Sequence, residues 1–135
     1  MNEYTVELRI YGKDLNPSVI TNDLHLEPTL VRKRGDKRDK NTCWEEGMWA
    51  YNGFPESDGS KVWVSLEEGL AFTLEKLQPI RSKLENYKRT FKVMLWCGHF
   101  QSELDSSFTL SPRTLQMLAD LGVELFIDNY TSTEL

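Results

Sequence analysis

The stretch Leu110-Ser111-Pro112-Arg113-Thr114-Leu115-Gln116-Met117-Leu118-Ala119-Asp120-Leu121-Gly122-Val123-Glu124 decides the fold class. Ser111 has the side chain of a helix N-cap, and Pro112 fits the first helical position, where a missing N–H costs nothing. Leu115, Leu118 and Leu121 then fall on one buried face, and Gly122 is placed to end the helix. Val123, Leu125 and Ile127 alternate as a closing strand. The same ordered signals stand near the start of the chain: Leu15-Asn16-Pro17, then Ile20, then Leu24-His25-Leu26-Glu27, with a helix two residues shorter. A strand precedes each. Tyr4, Val6, Leu8 and Ile10 alternate with Thr5, Glu7, Arg9 and Tyr11, whereas Phe91, Val93, Leu95 and Cys97 alternate with Lys92, Met94 and Trp96. The second strand is apolar on one face and only partly polar on the other, so it belongs inside a sheet. Cap, proline, helix face and strand in the same order twice read as an internal duplication.

Between these halves, Thr29 to Val31 and Met48 to Tyr51 read as short strands, and Gly53, Pro55 and Gly59 mark an exposed connection. Ser65 and Glu68 form a capping box, so the longest helix begins at Leu66. Its stripe is Leu66, Leu70, Leu74, Leu77, Ile80, Leu84 and Tyr87, and Pro79 predicts a kink or two abutting helices. Ser107 to Leu110 reads as a further short strand. The expected architecture is a single α+β domain over residues 1–135, a ferredoxin-like-related sandwich of duplicated β-α-β units. Its sheet is mostly antiparallel with helices mainly on one face, and its repeat-like halves, around 3–34 and 90–130, are joined by the long helix 66–87.

A chain of 135 residues with 39% hydrophobic residues and a net charge of −5 can bury one core and fold without a partner. Cys43 and Cys97 lack paired spacing, which points away from a disulfide framework or a zinc site. The first residues enter a strand pattern without the apolar stretch of a signal peptide, and no apolar run approaches about 18 residues. We therefore expect a cytoplasmic protein with no membrane association. Charge is unevenly placed. Arg32 to Lys40 holds six basic and two acidic residues, a net +4, leaving 10 basic and 19 acidic residues, or −9, for the rest. One basic loop stands out on an acidic body.

The chain resembles the bacterial family catalogued as domain of unknown function 4279, over nearly its whole length. The residues that carry the resemblance are the Tyr4 to Gly12 strand, Leu15-Asn16-Pro17, Leu26-Glu27-Pro28-Thr29, Gly35-Asp36, the Trp49 strand and Leu66-Glu67-Glu68. To these it adds the ending, Phe108-Thr109-Leu110-Ser111-Pro112, Leu118, Leu121-Gly122 and Ile127-Asp128 closing on Tyr130. Gly69 stands where the family commonly has a His, and Gln101 to Ser107 where it often has a Gly-rich run, so roles attached to those features are not carried over. The resemblance supports the fold and implies no activity.

The candidate site residues are few. Arg32, Lys33, Arg34, Lys37 and Arg38, followed by Trp44 and Trp49, could dock an anion or a partner protein, because arginine forks onto carboxylate or phosphate and tryptophan anchors an interface. The same run also fits a solvated loop turning at Gly35-Asp36. Met94 and Trp96, on an outward strand position, are a candidate aromatic patch, against the ordinary reading of packing. His25 and His99 have no nucleophile or ligand partner at any useful spacing. Glu67-Glu68 fits helix capping and the helix dipole, and Cys97 fits a buried small hydrophobe. No phosphate-binding glycine spacing occurs. No catalytic residue, metal site or cofactor is expected. The expected function is a non-enzymatic protein-interaction module of immunity or adaptor type, with nucleic acid an unfavoured partner. The alternative is a small-ligand or anion-binding protein or enzyme with a pocket between the sheet and the long helix. An exposed sheet face or edge could also pair two copies.

Overall fold

The computed structural model describes residues 2–53, 62–102 and 107–131. Pro55 and Gly59 of the expected exposed connection lie outside them. Five strands form one sheet: β1 (Glu3–Gly12), β2 (Leu30–Arg32), β3 (Gly47–Tyr51), β4 (Lys92–Gln101) and β5 (Glu124–Thr131). Their spatial order is β2-β3-β1-β4-β5, antiparallel throughout except for the parallel β4–β5 pair. The α+β class and the mostly antiparallel sheet are therefore as expected.

The helices start and stop where side-chain chemistry directs. In α1 (Pro17–Leu24) the Asn16 carboxamide accepts from the Ser18 N–H, and His25 ends the helix at φ 56°. In α4 (Pro112–Leu121) the Ser111 hydroxyl accepts from the Thr114 N–H, and Gly122 ends the helix at φ 71°. The two helices thus share the order of polar cap, proline and left-handed terminator, with different residues at cap and terminator and α4 two residues longer. Their strands are placed differently. β1 and β2 are both antiparallel to β3 and flank it, whereas β4 and β5 are direct neighbours. Pro79 divides the long helix into α2 (Leu66–Leu77) and α3 (Arg81–Tyr87) through a 3-10 turn at Gln78–Ile80, because proline cannot donate to the preceding turn.

All four α-helices among the described residues contribute to one core. Leu66, Leu70, Leu74, Leu77 and Leu84 pack in one cluster with Tyr4, Val6, Leu8 and Ile10 of β1 and with Val93, Leu95 and Cys97 of β4. Leu70, Leu74 and Leu8 are all 0% exposed, so among the described residues side chains fill the layer between sheet and long helix where the alternative expectation had a pocket. Two further expectations are corrected. Residues 107–110 belong to no strand; Phe108 instead packs edge-on against Tyr4 and His99. Leu115 is 50% exposed, because α4 turns Thr114 and Leu121 inward.

Candidate functional site: the helix-free face of the sheet

Because side chains alternate along a strand, every residue that feeds the core leaves a neighbour on the opposite face. That face carries Arg9 and Tyr11 from β1, Lys92, Met94 and Trp96 from β4, Phe126 and Tyr130 from β5, and Arg32 from β2. Pairing register makes them neighbours: Arg9 lies opposite Met94, Glu7 opposite Trp96, and Trp96 opposite Phe126. Arg9 lies flat on the sheet. Its Nε donates to Glu7 Oε1 at 2.6 Å, its Nη1 donates to the Tyr11 hydroxyl at 3.0 Å, and its guanidinium sits 3.9 Å over the Trp96 ring. Burial alone would lower the Arg9 pKa, but the Glu7 charge and the Tyr11 bond outweigh it and the net shift is upward. A shallow concavity of about 350 Å³ is lined by Arg9, Tyr11, Glu46, Lys92, Met94, Trp96 and Phe126.

The basic loop folds back on itself beside this concavity. The Gly35 N–H donates to the Trp44 carbonyl and the Trp44 N–H to the Asp36 carbonyl, each at 2.8 Å. Both acidic residues of the run serve its turns. The Asp36 carboxylate accepts from the Lys33 N–H, and the Asp39 carboxylate accepts from the N–H groups of Asn41 and Thr42, which holds Asp39 below the usual carboxylate range. Arg32 and Arg38 both stack on Trp44, at 3.6 and 4.6 Å from its ring centre. Arg32 Nη2 donates to the Met48 sulfur at 3.2 Å, and its buried Nε has no acceptor. Burial first, then the Arg9 and Arg38 charges, pull the Arg32 pKa down against the opposing effect of Tyr11. A second hollow of about 520 Å³, lined by Lys13, Arg38, Thr42, Cys43, Trp44, Glu45 and Glu46, shares Glu46 with the first.

The structure thus brings Arg32, Arg38, Trp44, Met94 and Trp96 onto one side of the molecule, with Met94 as a buried floor at 6% exposure. Lys33, Arg34 and Lys37 are exposed on the loop. Trp49 is separated from this group. It is 0% exposed on the core side of β3, where its indole N–H donates to Thr21 Oγ1 at 3.0 Å, because alternation along β3 turns Trp49 inward and Met48 outward. Sequence reasoning missed Arg9, Tyr11, Glu46, Lys92 and Phe126. For the four strand residues the only signal is an outward strand position, Glu46 lies just ahead of β3, and strand order is what joins them.

Cys97 and His99 lie inside the packed sheet. Cys97 is fully buried, and desolvation pushes its thiol up to about 12. His99 is buried, stacked on Tyr4 at 4.6 Å, with Nδ1 2.9 Å from the Asn129 side-chain oxygen. Among the described residues, no group of three or more His, Cys, Asp or Glu is arranged to hold a metal ion, and no helix is long and apolar enough to cross a membrane.

A family model described as Domain of unknown function (DUF4279) matches residues 2–132. The chain belongs to that family. In this DUF4279 domain, the segments that carried the resemblance are largely structural: Leu15-Asn16-Pro17 and Ser111-Pro112 start helices, and the Trp49 strand is buried on both faces. No curated protein and no solved structure matches the chain.

Proposed function

We propose that this DUF4279 domain is a non-enzymatic protein-interaction module of a bacterial cytoplasm, of adaptor or immunity type, and that it docks through the helix-free face of its sheet. The observation that carries the reading is a contiguous aromatic surface with none of the described helices over it. Phe126 is 49% exposed, Tyr130 42% and Phe100 39%, with Phe100 stacked on Tyr130 at 5.0 Å and Trp96 beside Phe126. Exposed aromatics grouped in this way mark interaction surfaces on soluble proteins. A photo-crosslinking amino acid at Phe126 should capture a defined protein in the native host, and the same group at Glu75, exposed on α2, should not. Equal capture from both positions would sink the reading.

A second reading, small-ligand or anion binding, keeps its chemistry and changes its place, from the filled sheet–helix layer to the shallow concavity around Arg9 and Trp96. Its openness weighs against it, since a drug-sized ligand normally buries most of its surface. For the fold, the first four strands, connected β-α-β-β-α-β and ordered β2-β3-β1-β4, support a ferredoxin-like origin with α4 and β5 appended. The matched caps of α1 and α4 support duplication of the β-α-β unit.

A further inference from the structure

We propose that the segment this face receives is an acidic polypeptide in extended form, its carboxylates meeting Arg9, Arg32, Arg38 and Lys92 and an intervening apolar side chain lying on Trp96 and Phe126. The inference rests on the interaction-module reading and adds the chemistry of the partner.

Charge complementarity carries it. Four cations from four different parts of the chain converge at one end of the sheet: Arg9 on β1, Arg32 on β2, Arg38 in the loop and Lys92 on β4. Arg32 and Arg38 share the Trp44 ring, and the Arg9 and Arg38 charges both bear on Arg32. Among the described residues their neutralisation is incomplete. Glu7 pairs with Arg9, and Glu46 stands on the rim shared by both hollows. Asp36 and Asp39 accept backbone N–H bonds within the loop's turns; their charges reduce the loop's six cations to a net +4 without cancelling them. This cationic corner sits on a chain of net charge −5, so it is a local feature and not a general basicity.

Arg32 is the sharpest sign. A guanidinium has five N–H donors and no acceptor function, and this one spends a donor on a thioether while its buried Nε goes unmatched. Holding it over Trp44 fixes its plane, which is what a forked carboxylate contact requires. Polypeptide fits better than polyphosphate. In an extended peptide, alternate side chains on one face stand roughly 7 Å apart, so carboxylates can address the arginines while an apolar residue bypasses Glu7 and Glu46. A nucleic-acid backbone has no such gaps, and the acidic body would repel it along its length. The concavity is shallow and open along the sheet, as a chain segment needs.

The test is titration of the folded domain with poly-L-glutamate, oligothymidylate and inorganic tripolyphosphate, followed by the indole N–H signals in two-dimensional NMR. Poly-L-glutamate should shift Trp44 and Trp96, leave buried Trp49 unmoved, and weaken with added salt. The double variant Arg38→Glu/Lys92→Glu, at two exposed positions, should keep the native spectrum and bind at least tenfold more weakly. Tighter binding of the oligonucleotide or tripolyphosphate would overturn the proposal in favour of a phosphate site. Unmoved Trp44 and Trp96 signals, or unchanged affinity in the charge-reversed variant, would overturn it outright. Crosslinking at Phe126 separates the two levels: capture there without poly-L-glutamate binding refutes only the acidic segment, and poly-L-glutamate binding without capture refutes only the module.

Discussion

Glu67 shows how far a residue's local reading can stand from its tertiary role. From its position in the first turn of α2, the carboxylate suits that helix's own dipole. In the folded chain it reaches α4 instead, accepting from the Ser111 N–H and hydroxyl, each at 2.8 Å, and from the Thr114 hydroxyl at 2.6 Å. Those bonds, the Thr114 contact first, hold Glu67 below the usual carboxylate range. A depressed folded pKa adds stability that is complete above the unfolded value and fades as pH falls through the folded one. Denaturant unfolding should therefore show stability falling below about pH 4.5, and Glu67→Ala should cost about 1–3 kcal/mol at pH 7 while flattening that dependence. Thr21 is a second case. Its hydroxyl donates to the Pro17 carbonyl and accepts from the buried Trp49 indole, so Thr21→Val should leave that N–H unmatched and cost about 1–3 kcal/mol in the same assay. Neither bond was legible in the sequence, because 44 and 28 residues separate the partners.

At the scale of elements, the short-range signals held wherever the deciding groups lie within a turn. Asn16-Pro17, Ser65 with Glu68, Ser111-Pro112 and the break at Pro79 all act over four residues or fewer, and each appears where the sequence places it. Residues 107–110 failed as a strand because pairing needs a partner edge, which no local pattern supplies. The matched helix ends give a paired prediction. His25 adopts the left-handed conformation that Gly122 adopts in α4, at a steric cost that glycine avoids. By thermal unfolding, His25→Gly should be neutral to stabilising by up to about 1 kcal/mol, and Gly122→Ala should destabilise by about 1 kcal/mol.

Across the whole molecule, the two faces of the sheet divide stability from recognition. Leu74, at 0% exposure between sheet and helix, should cost about 2–5 kcal/mol as Leu74→Ala. Phe126→Ser with Tyr130→Ser on the open face should change the midpoint little and abolish capture of the partner. The amino-acid sequence by itself determined the class, the five paired strands and the helix ends, the filled core stripe and the charge contrast of the basic loop, since alternation, capping and proline act through neighbours in the chain. Only the tertiary structure decided that Trp49 is core, that Arg32 and Arg38 clasp Trp44, and that the matched α1 and α4 serve differently placed strands. It also gathered Arg9, Lys92, Trp96 and Phe126 around one concavity. The physical reason is strand order: alternation assigns each side chain to a face, but pairing between distant segments chooses its neighbours on that face.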